Sequence, residues 1–306
     1  MGIEPVDKVW MNGELVDWEN ATVHVLSHAL HYGTGVFEGI RCYETSKGPA
    51  VFRLRDHLER MERSAKIFLM EIPYSVDELV TAAHELVEVN RLSSCYVRPI
   101  AFRGFGGEMG VNPERNPIEV SIAVWKWGSY LGEEALSNGI RMTMSSWRRH
   151  DPNIIPPGAK VTGAYINSSM AKLEAVHGGF DEAVMLNPWG LVSEATGENI
   201  FVVRGGEIFT PPLSAGPLPG VTRNTIFKIA ADLGMTIHEE QLTRSDLYLA
   251  DEMFLTGTAA EVTPVREIDE RVIGEPGPVT KTIQEKYFSI VKGEDEKYYD
   301  WLDFVA

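Results

Sequence analysis

Trp127-Gly128-Ser129-Tyr130-Leu131-Gly132 divides the chain into two stretches of similar design. Two glycines and a serine within six residues, without apolar periodicity, read as a linker between domains, spanning 127–136. Before it, Val9-Trp10-Met11, Asn12-Gly13 and Glu14-Leu15-Val16 read as a hairpin, because Asn-Gly accepts the positive φ angles of a two-residue turn. Residues 23–43 are rich in β-branched and aromatic side chains and broken by Gly33, Gly35 and Gly39, which predicts strands joined by a tight turn. Helices are predicted over 54–68 and 75–90, the second with Leu79, Ala82, Ala83 and Leu86 at helical spacing. Strands follow at 95–102 and 119–125. After the linker the pattern repeats: a strand at 141–146, a proline-rich loop at 151–158, a helix over Tyr165–His177 ended by Gly178-Gly179, and strands at 183–186, Asn199–Arg204 and Glu207–Thr210. Thr222 reads as the N-cap of a helix over 223–233. Strands and helices mix without strict alternation, which predicts an α+β fold with domains at 1–126 and 137–306.

The composition narrows the function. Against 28 basic residues stand 44 acidic ones, a formal charge of −16, which disfavours nucleic acid and anionic membrane as partners. Cys42 and Cys95 form no C-x-x-C pair, so a reducing cytoplasm is the expected compartment. The first ten residues carry Glu4, Asp7 and Lys8 and no apolar stretch of signal-peptide length, and no apolar run approaches the ~20 residues of a membrane span.

Three segments imitate motifs without meeting their requirements. Gly104-Phe105-Gly106-Gly107-Glu108-Met109-Gly110 fails G-x-G-x-x-G, because Met109 occupies the third glycine position, and reads as a loop. His24, His28 and His31 would need to converge to hold a metal, yet in a strand His24 and His28 share a face that His31 does not, so no metal is expected. Trp147-Arg148-Arg149-His150 reads as a solvated strand end.

Other segments suit chemistry. Lys160 lies in Pro156-Pro157-Gly158-Ala159-Lys160-Val161-Thr162-Gly163-Ala164-Tyr165, among small and apolar neighbours. A desolvated lysine is a nucleophile and Schiff-base former, and small neighbours leave room for a flat ring; a plain loop lysine beside a proline turn is the alternative. Glu194 precedes a strongly apolar strand, where a carboxylate requires a cationic partner. Leu218-Pro219-Gly220-Val221-Thr222-Arg223 places a glycine before a helix start, whose amides and dipole favour an anion. Thr256-Gly257-Thr258-Ala259-Ala260-Glu261 is a small-residue turn after Met253-Phe254-Leu255, and His57 and Arg60 share a helix face. Each of these is, by itself, also an ordinary cap, turn or surface feature.

Taken in order, these segments resemble the branched-chain aminotransferases of fold type IV, a class of pyridoxal-phosphate enzymes. The resemblance runs essentially the whole length. It rests on Ser27-His28-Ala29-Leu30-His31-Tyr32-Gly33, Val36-Phe37-Glu38-Gly39-Ile40-Arg41, Tyr96-Val97-Arg98-Pro99, Gly128-Ser129-Tyr130-Leu131-Gly132, the Ala159-Lys160 loop, Ser193-Glu194-Ala195-Thr196-Gly197-Glu198-Asn199, Leu218-Pro219-Gly220-Val221-Thr222-Arg223 and Gly257-Thr258-Ala259-Ala260-Glu261. The resemblance implies a smaller N-terminal α/β domain and a larger, mixed, barrel-like domain that binds pyridoxal 5′-phosphate. Lys160 would carry the cofactor as a Schiff base and move the proton at the substrate Cα. Glu194 would pair with the pyridine nitrogen and Tyr165 with the phenolic oxygen. Arg60, Val221, Thr222 and Thr258 would hold the phosphate, with Gly197 in the adjoining turn and Leu218 against the ring. Substrates would be amino acids and 2-oxo acids. Tyr32, Phe37, Gly39, Trp127, Tyr130 and Tyr165 would wall an apolar pocket, and Tyr96 with the N–H groups of Thr258 and Ala259, beside Ala260, would take the α-carboxylate. Met109-Gly110-Val111 would be lent by a neighbouring subunit, so a homodimer is the smallest expected assembly. Arg98, expected to point to the opposite side of the strand from Tyr96, would receive the side-chain carboxylate of glutamate. The Tyr96–Pro99 and Val36–Gly39 motifs favour the branched-chain type over D-amino acid or (R)-amine transaminases and aminodeoxychorismate lyases of the same fold.

Overall fold

The computed structural model describes residues 2–128 and 131–305, and its helices and strands form two compact units. The first contains the chain up to Trp127, together with Ala159–Ala164 and the residues from Ile290 onward. Its eight-stranded sheet is antiparallel throughout, in the order Leu302–Phe304, Gly48–Phe52, Ile40–Thr45, Cys95–Arg103, Ile118–Trp125, Lys8–Met11, Glu14–Asp17, with Gly35–Phe37 also paired to Cys95–Arg103. The Asn12-Gly13 turn has φ of 50° and 96°, the positive pair the first hairpin requires. Helices Leu54–Ile67 and Val76–Val89 bury Leu58, Met61, Leu79 and Leu86 in a core shared with Ile40, Val97 and Ile122 of the sheet. Ser75 caps the second helix through a reciprocal capping box with Glu78.

The second unit contains residues 128–158 and 165–289. Its nine-stranded mixed sheet runs Val192–Ala195, Glu182–Leu186, Ile140–Met144, Glu261–Ile268, Glu252–Gly257, Asn199–Arg204, Glu207–Thr210, Ile237–Glu239, with Arg271–Val272 added to Glu261–Ile268. Ile140–Met144 is parallel to both of its neighbours. The path curls back on itself: Val192–Ala195 lies against Asn199–Arg204, and Ala195 N–H donates to Glu198 C=O at 2.8 Å. The α+β reading and the barrel-like second domain agree with this architecture.

Four sequence expectations change. Residues 159–164 and the C-terminal segment pack with the first unit, not with a continuous domain over 137–306. Val161 bridges Val36, Gly163 N–H donates to Gly33 C=O, and Leu302–Phe304 pairs with Gly48–Phe52. Strand edges need hydrogen-bond partners, and a segment distant in sequence supplies them as well as an adjacent one. The expected 127–136 linker also includes the start of helix Glu133–Asn138. His28–Tyr32 is a helix, not a strand; left-handed Gly33 (φ 66°) ends it. The N-cap of helix Val221–Asp232 is Gly220, which leaves Thr222 within its first turn.

Candidate active site

The Lys160 loop is fastened to the first unit by backbone contacts. Lys160 N–H donates to Ser64 Oγ at 3.1 Å, and Phe37 N–H donates to Lys160 C=O at 3.1 Å. Thr162 Oγ1 donates to Gly33 C=O at 2.8 Å. A Cβ on Gly33 would stand 2.6 Å from Gly163 Cα, so this crossing of two chain segments requires glycine. The Lys160 ammonium lies 4.7 Å from the centroid of the Phe37 ring.

Helix Leu54–Ile67 presents His57, Arg60 and Ser64 from one face. Glu38 is wholly buried and meets all the charge on that face. Arg60 Nε donates to its Oε1 at 2.7 Å, Arg60 Nη2 to its Oε2 at 2.7 Å, and His57 Nδ1 lies 2.7 Å from Oε2. Burial opposes ionisation of Glu38, but Arg60 and His57 outweigh it and hold the carboxyl far below the usual carboxylate range. Burial pushes the His57 imidazole down, against the pull of Glu38.

Strand Cys95–Arg103 adds a cage of rings. The Arg98 guanidinium carbon stands 5.2 Å from the Phe37 centroid, 5.3 Å from Tyr96 and 5.7 Å from Trp125. Arg98 Nε is buried and has no hydrogen-bond partner among the described residues. Trp127 packs edge-on to Tyr96 at 4.3 Å. Tyr96 and Arg98 therefore share a face, which corrects the expectation that they point to opposite sides. Side chains alternate with a period of two, so Val97 is the one that turns away. Gly39 makes room for Tyr96, because a Cβ there would collide with the Tyr96 hydroxyl.

In the second unit, Glu194 lies on Val192–Ala195, buried and ion-paired. Arg149 Nη2 approaches its Oε1 at 2.7 Å; Leu218 N–H and Asn199 Nδ2 donate to its Oε2 at 3.1 and 3.3 Å. Arg149 is thus no solvated strand end. Its side chain is 13% exposed, and it donates to Ser168 Oγ as well. Gly220 allows Asn199 to approach, since a Cβ would collide with Asn199 Oδ1. Asn199 Nδ2 also donates to Leu218 C=O at 3.0 Å, which ties the Leu218 loop to the Glu194 strand. The first intrahelical bond of Val221–Asp232 is Asn224 N–H to Gly220 C=O, so the amides of Val221, Thr222 and Arg223 precede the ladder at the positive end of the dipole. That helix packs on strand Glu252–Gly257, where the buried Thr256 Oγ1 has no partner among the described residues. Thr258, Ala259 and Ala260 form the turn that follows.

The structure thus gathers Lys160, Arg60, Phe37, Gly39, Tyr96, Arg98 and Trp127 in the first unit. Glu194, Leu218, Val221, Thr222 and Thr258 belong to the second, with Tyr165 opening the helix Tyr165–His177 and Gly197 in an exposed turn. Tyr32, Met109 and Val111 are on the surface, the last 82% exposed. Gly110 C=O lies 2.8 Å from His28 Nε2, while His31 Nε2 lies 3.0 Å from Val25 C=O, so one histidine reaches backbone distant in sequence and the other backbone nearby. Tyr130 lies outside the described residues. Sequence reasoning assigned no role to Glu38, Ser64, Trp125 or Asn199, and read Arg149 as solvated. Glu38 and Asn199 sit inside quoted motifs, which was their only signal.

Comparison with known proteins gives a consistent result. Residues 35–268 match the family "Amino-transferase class IV". The chain is 49% identical over 308 residues to the branched-chain-amino-acid aminotransferase of Escherichia coli strain K12, covering 100% of this chain and 99% of that protein. It superposes with a TM-score of 0.95 on the T.th. branched-chain amino acid aminotransferase with pyridoxamine 5′-phosphate, at 50% identity over the whole of both chains. The same T.th. protein complexed with N-(5′-phosphopyridoxyl)-L-glutamate gives 0.94 at 49% identity, covering 98% of this chain and 99% of that one. With the family matched over most of its length and close relatives covering all of it, this chain belongs to the class IV aminotransferases.

Proposed function

We infer that this protein is a pyridoxal-phosphate-dependent branched-chain aminotransferase, which passes the amino group of L-valine, L-leucine or L-isoleucine to 2-oxoglutarate. The observation that carries this reading is the Arg98 cage. Three aromatic rings make an apolar wall for aliphatic side chains. Within it one guanidinium, with an Nε lacking a partner among the described residues, offers a charge-assisted site for the side-chain carboxylate of glutamate.

The residues present fit the cofactor. The buried Glu194 carboxylate suits a protonated pyridine nitrogen, and the Val221–Asp232 helix start with the orphaned Thr256 hydroxyl suits a phosphate. When bound, the cofactor supplies an electron sink for the carbanion left at Cα. Lys160 would hold it covalently and move the proton at the substrate Cα. Glu194, held in place by Arg149, Asn199 and the Leu218 amide, would keep the ring nitrogen protonated. Tyr165 would hydrogen-bond the phenolic oxygen, and Leu218 would pack on the ring. Arg60 of the first unit and Val221, Thr222 and Thr258 of the second, beside Gly197, would each offer donors to the phosphate. Tyr96, and the amides of Thr258 and Ala259 next to Ala260, would take the α-carboxylate, while Tyr32, Phe37, Gly39, Trp127 and Tyr130 would border the side chain.

The protein works as a homodimer or larger homo-oligomer, in which Met109 and Val111 reach the neighbouring subunit's pocket; their exposure supports this. Cytoplasmic location is in keeping with two reduced cysteines. Among the described residues no helix is long and apolar enough to cross a membrane. The test is an amino-donor panel with 2-oxoglutarate. Valine, leucine and isoleucine should be the best donors, and a clear preference for D-alanine or an (R)-amine would overturn the assignment.

A further inference from the structure

Glu38 poses a problem for a site that binds an anion. A buried carboxylate that occupies Nε and Nη2 of the phosphate-binding arginine competes with the phosphate for its charge. Neutralising Arg60 alone would not require this geometry. The two parallel bonds fix the plane of the guanidinium, and His57 Nδ1, one turn earlier on the same helix, fixes the carboxylate in turn. Glu38 is itself tied to the sheet, its N–H donating to Pro99 C=O at 2.9 Å.

Ser64, also fully buried, closes the other side. Its hydroxyl donates to Arg60 C=O at 2.9 Å and accepts the Lys160 N–H at 3.1 Å. The Lys160 C=O is held by the amide of Phe37, the residue before Glu38. Phe37 and Glu38, adjacent at one strand end, together with Ser64 and, through Glu38, His57, about two turns apart on one helix, therefore hold the backbone of the lysine and the side chain of the arginine. Both holds lie within the first unit.

We propose that Glu38 and Ser64 are positioning residues that set the separation between Arg60 and Lys160, so that one rigid ligand bearing an aldehyde and a phosphate engages both. This rests on the reading of Lys160 and Arg60 as cofactor-binding residues. Such a device predicts two separable losses. Ser64 acts on the lysine end, and Glu38 on the phosphate end.

The separation can be read by binding to the apoprotein, without turnover. Pyridoxamine phosphate has no aldehyde and reports the grip on phosphate and ring without the lysine bond, whereas pyridoxal phosphate reports that grip and the lysine bond together. Ser64→Ala should weaken pyridoxal phosphate binding roughly fivefold, as expected for one hydrogen bond, and leave pyridoxamine phosphate within about twofold. Ser64→Thr, which keeps the hydroxyl, should restore the ratio. Glu38→Gln puts an NH2 donor where one acceptor oxygen stood, so it cannot accept both parallel bonds from Arg60, and should weaken both ligands by roughly tenfold or more. His57→Leu, which leaves Arg60 untouched, should act in the same direction with a smaller loss, and serves if Glu38→Gln does not fold. Equal weakening of both ligands by Ser64→Ala, or unchanged or tighter binding by Glu38→Gln, would overturn the proposal. Failure of the underlying reading has a different signature: in the wild type, borohydride would label a lysine other than Lys160, or Arg60→Ala would leave pyridoxamine phosphate affinity unchanged.

Discussion

At the scale of single residues, the side chains that matter are those whose charge is buried and matched. Arg98 is the exception: its Nε has no partner among the described residues, and on the proposed reading its caged guanidinium lets the site accept two unlike substrates. Removing it should cost the glutamate half-reaction a charge-assisted hydrogen bond, about 1.5–3 kcal/mol. Arg98→Ala should then lower kcat/KM for glutamate and 2-oxoglutarate roughly ten- to a hundredfold, and for leucine much less. Half-reactions run separately with the two amino acids measure this, and equal losses would assign Arg98 to the fold or to the α-carboxylate. Glu194 offers a second case. Glu194→Gln keeps its shape and its acceptor for Leu218 N–H but abolishes the charge that faces Arg149. The chemical step should slow by at least about tenfold while KM changes little, because the lost interaction strengthens in the transition state. Stopped-flow traces of the single-turnover half-reaction give the rate, and an unchanged one would remove Glu194 from the ring nitrogen.

At the scale of elements, what the structure adds is which element meets which. The hairpin at Asn12-Gly13, the capped helix Val76–Val89 and the helix Tyr165–His177 follow from local rules, since turn chemistry, capping and apolar spacing act within a few residues. The short helix His28–Tyr32 does not, because five residues carry too little periodicity to outweigh β-branched and aromatic neighbours. The shared face of Tyr96 and Arg98 is legible from the strand period of two alone, since residues two apart always fall on one side. Strand ends also meet where only glycine fits. Gly39 packs under Tyr96, and Gly39→Ala would push a methyl into the Tyr96 hydroxyl. The expected result is a KM for every amino acid raised roughly tenfold with cofactor affinity unchanged, checked by initial rates and by cofactor titration; loss of cofactor binding instead would place Gly39 in the fold of the Lys160 loop.

At the scale of the whole molecule, buried charge couples the second unit's stability to pH. Glu198 is pushed up to about 8, chiefly by burial and then by Glu182, with Lys172 opposing. Glu182 is committed to Lys172 at 2.7 Å and to the Thr196 hydroxyl at 2.6 Å, so it cannot share its charge freely. Between the ordinary carboxylate value near 4.5 and about 8, the folded chain keeps a proton on Glu198 that the unfolded chain has released. Stability therefore declines as pH rises through that window, and the cost is complete above it. Glu198→Gln should flatten the decline and raise the Tm of the apoprotein at about pH 9 by several degrees, with little change at about pH 5. Thermal scans across this range test it, and parallel profiles for the two proteins would show that Glu198 ionises freely.

From the amino-acid order alone come the two-part α+β organisation, most helices and strands, and, through the resemblance, the lysine and the motifs around it. These depend on short-range physics and on residue types that can be read one segment at a time. Folding in three dimensions was needed to attach residues 159–164 and the C-terminal strand to the first sheet, to pair Arg149 with Glu194, and to close Glu38 on Arg60 and His57. Those partners are separated by up to hundreds of residues, and a buried charge is answered by whichever opposite charge the packing brings near, a choice that no local pattern encodes.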